Sequence, residues 1–409
     1  MTEASADTDT VSGLLAEIAN TGIDAARGGY SRPIFSTAEL DLRSWFVDRA
    51  AQRGLDVETD RNGLIWAWDA PGGTRDGAIV TGSHLDSVPG GGAFDGPLGV
   101  ASALVAFDLL SQRGVSGRPR AIVVFPEEEG SRFGLACLGS QLMTGAVAPE
   151  RALALKDVDG TTFAEACAGA GLDPSHMGAD REALGGIDTF IELHVEQGRG
   201  LIDLDRPVAV ASSILGHGRW RIVISGEGNH AGATLMTDRR DPMVAAAHVV
   251  VAVQSLARRT PHARATVGRL TPTPGGTNVI ASRVEVWLDV RHPEDAVVHA
   301  LVEQIRKAAA RAAVAEGCVA VVVEESYSPT VDFDPQLRDD LVGVLTHAPV
   351  LATGAGHDAG VLKEHVRTGM LFVRNPTGVS HSPQEYVEDV DAEAGAVALA
   401  DCLEKLIAR

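Results

Sequence analysis

A glycine-rich bend, GSHLDSVPGGGAFDG at residues 82–96, holds one histidine and two aspartates. His84 and Asp86 stand two apart where an apolar run (78–81) ends, a spacing that sends strand side chains to one face. A carboxylate there can hold one imidazole N–H and leave the other ring nitrogen for a metal. The glycines at 90–92 let the chain turn sharply, and Asp95 stands at the start of the next apolar stretch. Asp95 reads as a helix N-cap and His84 as a satisfied polar residue just as readily, so the bend alone does not choose between turn and ligand site.

Three further clusters bear on that choice. The apolar run 121–125 is followed by Pro126, Glu127, Glu128, Glu129 and Gly130. Three adjacent carboxylates repel one another unless they are solvated or offset by cations. The run 187–193 leads to His194 and Glu196 in ELHVEQG, and the run 370–373 leads to His381 in VSHSPQE. Nitrogen and oxygen donors at the ends of apolar runs, with no thiolate, suit a carboxylate-bridged pair of divalent cations about 3.5–4 Å apart. Such donors accept Zn, Mn, Co or Ni, and spacing does not separate them.

For these clusters to meet, their runs must end at one edge of a sheet. Residues 38–53 have helical periodicity, 55–59 and 64–68 read as short strands about a turn at Arg61, Asn62 and Gly63, and 78–81, 98–110 and 121–125 read as strand, helix, strand. That order predicts an α/β fold with a mixed, largely parallel sheet covered by helices, and open parallel sheets bind ligands at the carboxyl ends of their strands. A second pattern occupies 214–327: strand 220–224, helix 241–257, strands 266–270 and 284–290, helix 293–315, strand 319–323. This βαββαβ order is that of a ferredoxin-like α+β unit. Helix and strand alternate again in 328–409, with a closing helix from about Ala392, so the expectation is a discontinuous domain (1–213 and 328–409) interrupted by an insert.

A chain of 409 residues with 45% hydrophobic and 22% charged residues has the composition of a globular protein, and two domains suit its length. The formal charge of -20 opposes nucleic acid and anionic membranes as partners. Residues 1–13 lack the basic and apolar segments of a secretory signal and read as a frayed tail, and no run reaches the ~20 apolar residues of a membrane span. Cys137, Cys167, Cys318 and Cys402 are scattered, which predicts reduced buried thiols and a cytoplasmic protein.

Taken in order from about residue 35 to the end, GSHLDSVPGGGAFDGPLGV, EEEGSRFG, ELHVEQG, GNHAGAT, GGTNVI, LDVR, GAGHD and VSHSPQE resemble the hydantoinase/carbamoylase branch of the M20 metallopeptidase superfamily. The resemblance implies two divalent cations per subunit, with His84 and His194 on the first, Asp95 as the bridge, Glu129 and His381 on the second, and Asp86 behind His84. Alignment on Gly130 makes Glu128 the catalytic base, with Glu127 and Glu128 as the alternative base and ligand. The insert resembles the family's lid and dimerisation domain. There His230 would bind the scissile carbonyl oxygen while Asn278 and Arg291 hold a substrate carboxylate, acting from the partner subunit of a homodimer. His217 and Arg219 in ILGHGRW, with Gln197, Gly356 and His357, would complete the substrate site. The histidine in ELHVEQG favours the amidohydrolase branch over the peptidases. The implied reaction is hydrolysis of an N-carbamoyl-L-amino acid or related ureido acid to the amino acid, ammonia and carbon dioxide, with allantoate, N-formyl amino acids and dipeptides as alternatives.

Overall fold

Every residue of the strands Ala78–His84 and Arg120–Phe125 is buried, as continuous apolar runs require where helices cover both faces of a sheet. The computed structural model describes residues 9–408. One unit is formed by the chain up to Ser212 and from Asp332 onward, the other by Ser213–Val331.

In the first unit, α1 (Val11–Glu17) and α2 (Thr37–Gln52) precede β1 (Asp56–Thr59), β2 (Ile65–Asp69) and β3 (Ala78–His84). Then come α3 (Pro97–Gln112), β4 (Arg120–Phe125), β5 (Ile187–Val195) and β6 (Val208–Ile214). The insert contributes β7 (Gly216–Ser225), α4 (Pro242–Arg259), β8 (Arg264–Thr273), β9 (Arg283–His292), α5 (Asp295–Ala315) and β10 (Val319–Ser328). After it come helices at Pro335–Val344 and Asp358–Leu362, then β11 (Arg367–Val373) and α6 (Asp389–Ile407).

Among the described residues the large sheet has nine strands: β1-β2-β4-β3-β5-β11-β6, then the short strand Val331–Asp332, with Val350–Thr353 also paired to β6. Its centre, β4-β3-β5-β11, is parallel, so the carboxyl ends of those four strands share one edge. The flanking pairs β1–β2, β2–β4 and β11–β6 are antiparallel. Residues Leu98, Val100, Ala101, Leu104 and Phe107 of α3 join Leu399 and Leu403 of α6 in the core over this sheet. A helix apolar around most of its circumference is one enclosed on all sides, and α3 is buried from Pro97 through Phe107. Between β4 and β5 lie short helices at Leu138–Thr144, Pro149–Leu153, Phe163–Gly169 and Arg181–Gly186, which carried no clear periodicity in the sequence.

In the second unit the order β10-β7-β9-β8 is antiparallel throughout, the ferredoxin-like arrangement, with both helices over one face. Trp220, Ile222, Ile224, Val286, Leu288 and Val290 pack there against Val249, Val253, Leu301 and Ile305. The alternate residues of each strand point to the opposite face. The unit extends past the expected boundary at 327, because Thr330 is fastened to Asp295 Oδ1 by its N–H (2.9 Å) and its hydroxyl (3.0 Å).

Two local expectations change. Residues 1–8 of the expected tail lie outside the described residues, but Val11 begins a helix: Thr10 accepts the Gly13 N–H, and Val11 and Leu14 are buried. The closing helix begins at Asp389 rather than Ala392. All four cysteines are free and buried. Among the described residues no helix is long and apolar enough to cross a membrane.

The first turn of α3 lies directly on the strand ends. A Cβ on Gly99 would sit 2.3 Å from the Leu193 carbonyl oxygen and 2.7 Å from Ser83 Cβ, each adjacent in sequence to a histidine of interest. Gly99→Ala should therefore lower stability by about 1–3 kcal/mol as α3 lifts from β3 and β5. Urea unfolding checks this, and a wild-type midpoint would mean the helix moves without penalty.

Candidate metal centre

His84 ends β3, and His194 lies one residue before the end of β5. Each Nδ1 lies 3.0 Å from a backbone carbonyl, of Asp86 for His84 and of Val195 for His194. A neutral imidazole that donates through Nδ1 carries its lone pair on Nε2. The two Nε2 atoms face each other at 3.5 Å, and each is 3.3 Å from Asp95 Oδ1. On the other side of the same carboxylate, Asp95 Oδ2 is 3.5 Å from His381 Nε2, which in turn is 3.3 Å from Glu129 Oε2. One buried carboxylate thus presents each oxygen to a separate donor set. The bend itself has no room for a larger residue, since a Cβ on Gly96 (φ 86°) would come within 2.6 Å of the His84 ring.

Lone pairs converging at these distances repel unless a proton or a cation lies among them. The sets His84–Asp95–His194 and Asp95–Glu129–His381 each bring one donor atom per residue within 4.8 Å of the others. Imidazole and carboxylate donors joined by a shared carboxylate fit a pair of borderline divalent cations.

Of the three consecutive glutamates, two face this cluster. Glu127 adopts a left-handed backbone (φ 54°), and its Oε1 accepts N–H bonds from Arg132 (3.0 Å) and Phe133 (2.6 Å) in the following loop. Glu128 places Oε2 3.7 Å from His84 Nε2 and Oε1 3.8 Å from His357 Nδ1. Asp86 lies behind His84 and does more than face that ring. The closer acceptor for that ring is its backbone carbonyl, and its carboxylate, 3.6 Å from Nδ1, accepts the N–H groups of Glu128 (3.2 Å) and Glu129 (3.1 Å). The loop after β4 brings two amide donors to that carboxylate, so Asp86 holds the glutamate pair as well as His84.

Burial and crowding of charge dominate the electrostatics. Burial raises Glu128 well above the usual carboxylate range, against the pull of His84. Burial, then Asp86, pushes Glu127 up to about 8, and burial, then Asp95, does the same for Glu129. Burial works against charge on His84 as well, but Glu128, Asp86 and Asp95 outweigh it and raise the imidazole. Asp95 is held ionised by His194 and His84 despite its burial. His357 is lowered by burial and by His194, hence neutral, and among the described residues neither ring nitrogen has a hydrogen-bond partner. Gln197 donates to Asp95 Oδ2 at 2.7 Å, and its buried Oε1 has no hydrogen-bond partner among the described residues. Gly356 is exposed beside His357.

Three buried carboxyls escaped the sequence reading. Glu192 accepts the Ala359 N–H (3.0 Å), Asp358 accepts the Ser140 hydroxyl (2.5 Å), and Glu385 accepts the N–H groups of Phe94 and Asp95. All three lie inside the motifs ELHVEQG, GAGHD and VSHSPQE, but spacing does not show which acids turn inward.

Within the inserted unit, His230 accepts the N–H groups of Gly232 (3.1 Å) and Ala233 (3.2 Å) on Nδ1, so Nε2 carries the hydrogen and is a donor. The Asn278 carbonyl accepts the Ala231 N–H, which keeps Asn278 beside His230 on the ribbon Asn229–His230/Val279–Ile280. On the sheet face away from the helices, Arg291 lies opposite His217 and Asp289 opposite Arg219. The Arg291 fork closes on Asp289 through Nε (2.8 Å) and Nη2 (3.1 Å). Burial, then Arg291, lowers His217.

The family model for peptidase family M20/M25/M40 matches residues 80–405. An N-carbamoyl-L-amino acid amidohydrolase of Geobacillus stearothermophilus is 36% identical over 381 residues, 91% of this chain and 92% of the relative. An allantoate amidohydrolase of Bacillus subtilis (strain 168) is 32% identical over 392 residues, 93% of this chain and 94% of the relative. The crystal structure of an amidase of the hydantoinase/carbamoylase family from Burkholderia multivorans superposes with a TM-score of 0.87 at 32% identity, covering 98% of this chain and 97% of that one. The chain belongs to peptidase family M20/M25/M40, and it is similar there to amidases of the hydantoinase/carbamoylase kind.

Proposed function

We propose that the protein is a two-metal amidohydrolase that cleaves the carbamoyl C–N bond of an N-carbamoyl-L-amino acid, releasing ammonia, carbon dioxide and the amino acid. The observation that carries this reading is the Asp95 carboxylate, whose two oxygens each face a histidine-containing donor set while Glu128 stands beside them. The carbamoyl substrate rests on the relative that is 36% identical, and allantoate is the second reading because the 32% relative is named for it.

His84, Asp95 and His194 would hold one cation, and Asp95, Glu129 and His381 the other; Zn, Mn, Co and Ni suit these donors. When bound, the pair supplies a hydroxide source near neutral pH and polarises the attacked carbonyl. Glu128, raised by burial, takes a proton from the attacking water and returns it to the leaving nitrogen. His230 offers its Nε2 hydrogen to the developing oxyanion, a contribution of about 3–4 kcal/mol for donors of this kind. Arg291 and Asn278 hold the substrate carboxylate, and the fork that closes on Asp289 shows the bidentate geometry such a group accepts. Gln197 Oε1 and the two nitrogens of His357 are buried groups that a ureido function can satisfy, with Gly356, His217 and Arg219 completing the substrate site. The reading includes a cytoplasmic homodimer in which the inserted unit of one subunit serves the centre of the other. Free buried cysteines suit that compartment.

A panel of N-carbamoyl-L-amino acids, allantoate, N-formyl amino acids and dipeptides, assayed with Zn, Mn, Co and Ni, tests the substrate. Ammonia release from the first group is expected, and turnover of dipeptides alone would sink the proposal. Glu128→Gln should lower kcat by about 10²–10⁴-fold with metal content unchanged, and near-normal turnover would remove Glu128 from the mechanism.

Mixed dimers of Arg291→Ala and Glu128→Gln subunits should recover activity that neither parent shows. No recovery in verified heterodimers would argue against sites shared between subunits.

Stability should also depend on pH. In the metal-free folded chain Glu127 and Glu129 stand at about 8 and Glu385 at about 7, against 4.5 for an ordinary glutamate. Between those values the folded state binds more protons than the unfolded one, so stability falls as pH rises through that window. A divalent cation held by Glu129 displaces its proton and should lessen the fall. The Tm of EDTA-treated protein is thus expected to drop from about pH 5 to pH 8, and to drop less with saturating Mn²⁺. Equal slopes with and without metal would contradict cation binding at Glu129.

A further inference from the structure

Glu385 stands four residues past His381 and is buried. Its Oε1 accepts the N–H groups of Phe94 (3.1 Å) and Asp95 (2.9 Å), across 290 positions of chain in the second case. Its Oε2 lies 3.3 Å from the Ser380 hydroxyl, which is also 3.4 Å from Asp95 Oδ2. The fit over the bend is tight: a Cβ on Gly92 would lie 2.2 Å from Oε1 and 2.5 Å from the carboxyl carbon. Gly92 has no left-handed backbone, so what excludes a side chain there is Glu385 itself.

The two candidate cation seats differ in how they are built. His84 and His194 of the first are carried on neighbouring strands of the sheet and are 0% and 1% exposed. The second takes His381 from a loop, with a left-handed backbone (φ 55°) and a side chain 50% exposed. Its donors share no strand, so their spacing depends on what joins the loop 380–385 to the bend.

We infer that Glu385 is a positioning residue for the second seat alone: clamped between Asp95 and the His381 loop, it sets the distance across which Asp95, Glu129 and His381 can share a cation. The inference rests on the two-metal reading above. Glu385→Ala removes the acceptor of two N–H groups and frees the loop. In Glu385→Gln the carbonyl oxygen can still accept both, while the amide can donate to Ser380 Oγ. Gly92→Ala displaces the Glu385 carboxyl without altering charge.

Titration of metal-stripped protein with Mn²⁺, followed by calorimetry and by metal content per chain after gel filtration, tests the inference without an activity assay. Wild type is expected to bind two ions. In Glu385→Ala the first should bind as before and the second about 10–100-fold more weakly, the usual scale for an outer-shell partner. Gly92→Ala should shift in the same direction, and Glu385→Gln should stay within a few-fold of wild type. Two ions at wild-type affinity in Glu385→Ala, or equal weakening of both, would overturn the inference, as would a Gln variant no better than Ala. If Glu385→Ala does not fold, Gly92→Ala decides: an unchanged second ion in it overturns the clamp. A wild-type chain that takes up fewer than two ions defeats the two-metal reading itself.

Discussion

Too many carboxyls are buried in too small a volume, and most of the local structure follows from keeping them there. Asp86, Asp95, Glu127, Glu128, Glu192, Asp358 and Glu385 are all at most 5% exposed. Isolated charges in such a setting are prohibitive, so each acid must protonate, find a cation or collect hydrogen bonds. The protein uses all three. Glu127 and Glu385 accept pairs of backbone N–H groups, Asp95 is offset by two imidazoles, and Glu128 is raised by burial. Divalent cations would relieve the remainder, since the most crowded oxygens are the ones that face His84, His194 and His381.

Backbone amides do much of this work, which explains the shape of the loops. A parallel sheet ends its strands at one edge, and the chain must turn there with N–H groups still to satisfy. Asp86 takes two of these from the loop after β4, and Glu385 takes two from the bend before α3. Each acid thereby spaces two segments that are remote in sequence. Small residues are needed wherever one segment crosses another closely, as at Gly92 beneath Glu385 and Gly96 against the His84 ring. Gly99 has the same role one turn later, where α3 meets β3 and β5.

Much of this could be read from residue types and spacing. The runs ending at His84 and at Pro126 are strands of the parallel centre, and the βαββαβ order of the insert appears as an antiparallel four-stranded sheet. Periodicity reports burial, and these elements are buried on the face or faces their patterns indicate. It does not report direction, which is why the antiparallel pairing of β2 with β4 had to be seen in the structure. The short helices between β4 and β5 were also illegible, because helices of five to seven residues hold too few apolar positions to establish a period. At the centre, the spacing and the family resemblance together singled out His84, Asp95, His194 and His381, and the structure brings these four side chains close to one another. The allocation of the carboxylates was not legible. Whether Glu127 or Glu128 faces inward turns on one left-handed residue, and whether Asp86 serves a ring or a pair of amides turns on a neighbouring loop.

The insert follows a contrasting rule. Its helix-covered face is apolar, whereas the opposite face of β7 and β9 gathers Arg219, Arg221, Asp289, Arg291 and His217. Arginine keeps its charge through any partial burial, and its planar fork suits a carboxylate better than a point charge would. His217 cannot do the same: burial and its arginine neighbours lower it, so near neutral pH it is an uncharged ring among fixed cations. Carboxylates already meet two of these guanidinium groups: Arg221 pairs with Glu285 (2.7 Å) and Glu325 (2.9 Å), and Arg291 with Asp289 (2.8 Å). The metal-candidate centre of the first unit has the reverse character, an excess of acids around imidazoles.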